Sequence, residues 1–128
     1  RRHYQVQNND FSCCLCSRGE EETIDHLFAS CEFSTRCWCF LKIHWPADVP
    51  CITALSSVKA AFNNKLFFEV FALGAWNIWK QRNDFIFEGV QPSFQGWKAR
   101  FKSDFALLGS RVPQTLSPLF ESLLDSFH

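Results

Sequence analysis

The chain has 128 residues, of which 47 % are apolar and 16 % aromatic; that is enough apolar surface for one ordinary core and excludes a disordered tail. Lysines plus arginines equal aspartates plus glutamates at 13 each, which excludes a protein that grips a phosphate backbone by overall charge alone. Residues 1–50 carry five bases against seven acids, and residues 51–128 eight against six, so neither half is a basic arm.

The opening "RRHYQVQNND" is polar and reads as loosely held. A Cys/His cluster comes next, over residues 13–31. Thr23 is placed to cap a short helix over Ile24–Phe28, because its hydroxyl can accept from an unpaired first-turn amide. Glu20, Glu21 and Glu22 stand just ahead of that positive helix end, where negative charge is favoured. A second helix is expected from Ser34 to about Ile43, with Cys37, Trp38, Phe40 and Leu41 at helical spacing.

"WPADVP" (45–50) breaks the pattern with two prolines in six residues. Beyond it Ile52, Leu55, Val58 and Phe62 predict one helix. Asn63 or Asn64 then caps another that runs to about Arg82. This one is apolar on nearly every face, the mark of a central helix, with Glu69, Asn77, Lys80 and Asp84 as its polar stripe. Glu69 and Asn77, about two turns apart, could form a polar pocket, but are expected to mark its outer edge or to cap a neighbour. "FIFEG" (85–89) reads as a strand or a turn. Pro92 or Ser93 starts the next helix, whose stripe is Phe94, Trp97, Phe101, Phe105 and Leu108 and whose end is a left-handed Gly109. In the last helix Ser117 caps, Pro118 takes the first helical position, and Leu116, Leu119, Phe120, Leu123, Leu124 and Phe127 line one face.

The expected fold is therefore mainly α: a small Cys-Cys-His-Cys zinc knuckle with short helices over residues 1–45, a linker over 46–51, and a helical, bundle-like segment over 52–128. The chain contains no methionine, and so reads as a piece of a longer product. No charged-then-apolar leader opens it. The longest apolar run, Leu66 to Trp79, spans 14 residues and includes Glu69 and Asn77, too short for a membrane span. The expectation is a soluble, intracellular protein, nuclear or cytoplasmic, with no membrane partner.

The chemistry lies in "CCLCSRGEEETIDHLFASCEF" (13–33). Cys13-x2-Cys16, then nine residues, then His26-x4-Cys31 supply four ligands. A C-x2-C turn points two sulfurs the same way, as a tetrahedral ion with ~2.3 Å zinc–sulfur bonds requires. Three thiolates and one imidazole suit zinc, not calcium or magnesium, which prefer oxygen. Four protein ligands close the site, so the metal would be structural and not hydrolytic. Cys14 can replace Cys13, at the cost of a tighter bite. Seven cysteines is an odd number, and without a leader a disulfide framework is the weaker alternative. A redox C-x-x-C would need a buried strand before it, which "NND" (8–10) is not; the zinc-deaminase pattern is absent. Unliganded cysteines remain an alternative. Cys37, Cys39 and Cys51 read as core packing, and His3, His44 and His128 as surface or terminal residues.

"CCLCSRGEEETIDHLFASCEFSTRCW" resembles the zinc-binding domain that lies C-terminal to the reverse transcriptase in plant LINE-type (non-LTR) retrotransposons. The shared pattern is Cys13, Cys16, Glu22-Thr23, Asp25-His26-Leu27-Phe28, Cys31 and Trp38, and "AWNIWKQRNDFIFEG" (75–89) is similar to the segment just C-terminal to that domain. The chain departs from the pattern at Cys14 and at Ser17, where a glycine is usual. The resemblance implies a non-catalytic accessory module that helps handle nucleic acid, RNA or single-stranded DNA, or the parent reverse transcriptase.

No Tyr-x-Asp-Asp, no Asp-Asp and no nucleophile–base pair recommends an enzyme. Lys80, Arg82, Lys98, Arg100 and Lys102 are the candidate phosphate contacts, set against an ordinary solvated face. Trp76, Trp79 and Trp97 could stack on bases, though an aromatic stripe at helical spacing is usually core. Phe11, Phe28 and Phe33, which flank the cluster, are the better candidates for stacking, though they too are expected to pack on the metal knuckle. The alternative function is a protein–protein interaction module with no nucleic-acid role, docking through Leu116–Phe127.

Overall fold

The computed structural model describes residues 15, 23, 25–46 and 49–127, with backbone only at 29 and 30. Among them every regular element is helical. A π-helix over His26–Ser30 leads into α1 (Glu32–Leu41), followed by α2 (Cys51–Phe62), α3 (Phe67–Glu88), α4 (Phe94–Leu108) and α5 (Ser117–Ser126), with short 3-10 turns at Gly109–Arg111 and Gln114–Leu116. No described helix is long and apolar enough to cross a membrane.

The helix boundaries follow from local chemistry. Asn63 stops α2 in the left-handed region (φ 53°), which Asn tolerates better than most residues. The Asn64 side chain accepts from the Leu66 N–H (2.8 Å) just before α3 begins. Ser93 caps α4 by accepting the Gly96 N–H at 3.0 Å. Ser117, expected as the cap of the last helix, is instead its first residue: Leu116 is the N-cap with no side-chain cap bond, and Pro118 takes the second helical position, still in the first turn of α5, where its missing N–H costs nothing.

Two further expectations are corrected. Residues 85–88 of "FIFEG" are the last turn of α3, which runs on past Arg82 and stops at Gly89 (φ 71°); the glycine terminates the helix and does not mark a strand. Gly109 is not a left-handed stop. It stays right-handed (φ −55°) and the chain continues as a 3-10 turn. The glycine is required by proximity, since a Cβ there would lie 2.8 Å from Phe120 Cε2.

The core is largely aromatic. Phe94, Trp97, Phe101 and Phe105 recur every three or four residues along α4. Their rings stack in sequence at 5.8, 5.5 and 5.8 Å, and Phe105 passes the stack to Phe120 of α5 at 4.7 Å. Phe127 closes the end, edge-on to Phe101 and Phe105. Each such pair adds about 0.5–1.5 kcal/mol beyond the area it buries.

Helix α3 packs on α4 and buries Phe67, Val70 and Ile78. Gly74 gives both neighbours close approach. Its carbonyl accepts the Trp97 indole N–H at 3.1 Å, and a Cβ there would lie 2.9 Å from both Leu41 Cδ1 and Trp38 Cζ3 of α1. The core does not stop at the proline-rich break. Trp45 lies edge-on to Trp38 and against Phe71, and Leu15, Leu27, Cys31 and Trp38 belong to the same buried cluster as Phe67 and Trp97.

Candidate metal centre

The segment that carries two of the four predicted ligands is held from three directions. Thr23 accepts the His26 N–H through its hydroxyl (3.0 Å) and the Leu27 N–H through its carbonyl (2.8 Å), the capping role read from the sequence. The turn then widens: the Cys31 N–H donates to the His26 carbonyl at 2.6 Å, five residues back, which is π-helical geometry, a form that recurs at functional sites. From the other side α1 binds the turn's carbonyls. The buried Ser34 hydroxyl donates to the Leu27 carbonyl and the Trp38 indole N–H to the Phe28 carbonyl.

His26 is 5 % exposed and Cys31 fully buried. Cys31 occupies the N-cap of α1, where the helix favours negative charge. Leu15, the residue between Cys14 and Cys16, is buried in the same cluster. Cys13, Cys14 and Cys16 themselves lie outside the described residues, as does Phe11. Among the described residues no three His, Cys, Asp or Glu side chains gather in metal-binding fashion.

Asp25 turns away from this core. Its carboxylate accepts the Cys51 backbone N–H at 2.9 Å, at the first residue of α2. That bond, and then the Cys51 thiol, hold the Asp25 carboxyl below its ordinary 3.8, while burial and the facing carboxylate push the Cys51 thiol up. Cys37 is buried as expected, and burial, with Cys31 nearby, drives its thiol far above the ordinary range. Cys39, expected in the core, is exposed. Phe28 and Phe33 pack against the core, and Phe28 also stacks on Trp79 at 6.3 Å.

The five cations singled out by sequence are not one patch. Lys80 lies over the Trp76 ring at 5.8 Å, and Arg82, buried, over Trp79 at 4.6 Å. Lys98 sits over Phe40 of α1 at 5.1 Å, and Lys102, four residues on, shares its flank of α4. Arg100 pairs instead with Asp84 of α3 at 3.3 Å.

The polar stripe of α3 is also corrected. Asn77 is not at the outer edge: it is 1 % exposed and donates to the Leu73 carbonyl (2.9 Å) and to Asp104 Oδ2 (3.1 Å). Trp97 is core as expected, but Trp76 and Trp79 are exposed. Along and beside α5, Phe120 and the C-cap residue Phe127 are buried, and Leu116, Leu119, Leu123 and Leu124 pack against the chain's own core.

Compared with family models, with curated proteins and with solved structures, the chain has no match.

Proposed function

We propose that the chain is a zinc-binding accessory domain of a retrotransposon reverse transcriptase-like protein, non-catalytic, which binds nucleic acid weakly. The observation that carries the reading is the arrangement of His26 and Cys31. Both are buried, and both sit on a single turn closed by a backbone hydrogen bond and pinned by Thr23, Ser34 and Trp38. A buried imidazole and a buried thiol held at the mouth of a helix are the donor types a zinc site uses.

Cys13, Cys16, His26 and Cys31 would hold the ion, with Cys14 the alternative to Cys13. Bound zinc would act as a cross-link between the N-terminal turn and the start of α1; in zinc-finger peptides such sites supply about 10–16 kcal/mol at neutral pH. The protein's own residues orient the ligands: Thr23 and the Trp38 indole fix the turn from which His26 projects.

Gel shifts of the purified chain on single-stranded RNA, across a salt series and with a chelator, test this reading. Binding is expected to weaken steadily as salt rises and to fall when the metal is removed or Cys31 is changed to Ser. No shift at low salt, with the chain folded and zinc-loaded, contradicts the nucleic-acid part of the reading.

A further inference from the structure

Four large aromatic side chains stand outward along α3: Phe68 is 49 % exposed, Trp76 53 %, Trp79 36 % and Phe87 58 %. With Ala72 and Asn83 they fall at spacings of three and four residues, so they share one face. From Phe68 to Phe87 this face runs ~28 Å at the helical rise. Apolar surface of this extent on an ordinary soluble face is uncommon and marks a contact region.

Charge runs beside the rings. The Lys59 ammonium of α2 lies over Phe68 at 5.0 Å and the Lys80 ammonium over Trp76 at 5.8 Å. Trp79 is braced from within by the buried Arg82 and by Phe28. At the Phe68 end a cleft of about 760 Å³ opens between α2, α3 and α5; Lys59, Lys65, Asn63 and Asn64 line it with Phe68 and Leu119, and none of the described lining residues is a carboxylate. From residue 65 to residue 83 the single acid is Glu69, against Lys65, Lys80 and Arg82; at the Phe87 end stand Asp84, paired with Arg100, and Glu88, so the positive charge is concentrated at the Phe68–Trp76 end.

We propose that the outer face of α3 is a binding track for single-stranded nucleic acid, with bases stacking on Trp76, Trp79 and the flanking phenylalanines and phosphates meeting Lys59, Lys65 and Lys80. Exposed rings interleaved with lysines are what a sequence-tolerant single-strand site requires, and ~28 Å accommodates about four extended nucleotides, the lower end of known site sizes. The inference rests on the nucleic-acid part of the proposed function and is independent of the metal. It moves the phosphate contacts away from Lys98, Arg100 and Lys102 of α4.

Titration of the tryptophan fluorescence of the whole chain with an oligouridine of about 12 nucleotides tests it. The wild-type chain is expected to be quenched on binding. Trp76→Ala raises Kd about tenfold or more. Lys80→Gln weakens binding and lowers the salt slope by about 0.7. The double change Lys98→Gln with Lys102→Gln leaves affinity as it was. Trp76 faces solvent, so far-UV circular dichroism of its variant should match the wild type.

Wild-type affinity retained in Trp76→Ala, or lost in the Lys98/Lys102 variant instead, overturns the track while leaving the broader reading in place. Absence of any binding by the wild-type chain overturns both. Equal quenching by a glutamate-rich peptide, or a dimer in sedimentation that Trp76→Ala disperses, assigns the face to a protein and overturns the inference.

Discussion

Asp25 reaches across the proline-rich break to accept the backbone N–H of Cys51 at 2.9 Å. The residue beside the candidate ligand His26 thereby caps α2, whose own N-cap position is Pro50 and offers no side-chain acceptor. One carboxylate thus joins the turn that carries His26 to the helix 26 residues further on. Asp25→Ala is expected to lower the midpoint of thermal unfolding and to speed amide exchange at Cys51 and Ile52 selectively. Unchanged exchange at both positions contradicts the capping role.

Two glycines on packed helices should respond in opposite directions to the same change. Alanine is favoured over glycine within a helix by about 1 kcal/mol. At Gly96 the new methyl meets only ordinary contacts, the nearest 3.4 Å away on the Gln81 side chain, so Gly96→Ala should stabilise by about 0.5–1 kcal/mol. At Gly74 the methyl would lie 2.9 Å from the fully buried Leu41 and Trp38. Overpacking of about 1–3 kcal/mol wins there, and Gly74→Ala should destabilise. Urea unfolding of the two variants checks the signs.

Lys42 ends α1 in the left-handed region at φ 62°, a conformation that costs a residue with a Cβ roughly 1 kcal/mol or more. Its side chain is exposed. Lys42→Gly should therefore raise stability by about 0.5–1 kcal/mol, measured by the urea midpoint at unchanged slope.

Trp38 and Trp97 separate stability from metal binding. Each is buried and donates its indole N–H to a backbone carbonyl, Trp38 to Phe28 and Trp97 to Gly74. Replacement of either by Phe should cost about 0.5–1.5 kcal/mol through the lost indole hydrogen bond. Phe28 lies between His26 and Cys31, so Trp38→Phe should also weaken zinc binding about tenfold or more. Trp97→Phe should leave the zinc affinity of the folded protein unchanged. Competition with a chromogenic chelator gives both affinities.

Much of the helical frame was legible because capping chemistry is local. Thr23 and Ser93 act within three residues of where they stand. The rotation of α3 was not legible. A helix apolar on most faces does not say which face turns inward, and here Gly74 decides. It admits Trp38 and Leu41 on one side and accepts the Trp97 N–H, so Asn77, one position from the buried Ile78, is carried inside to meet Asp104. Trp76 and Trp79 are left outside for the same reason. The extent of α3 was misread at "FIFEG" because aromatic and β-branched residues favour strands only as a weak preference; packing on α4 overrides it. For the candidate metal centre, spacing supplied His26 and Cys31, whereas the π-turn that closes them and the Ser34 and Trp38 hydrogen bonds have no sequence signature.

The most direct test of the account is the metal content of the folded chain, by native mass spectrometry of protein purified without added zinc and with its thiols reduced. The account predicts one zinc ion per wild-type chain and none in Cys31→Ser or His26→Asn. A wild-type chain that is metal-free, fully folded and unresponsive to added zinc would contradict it.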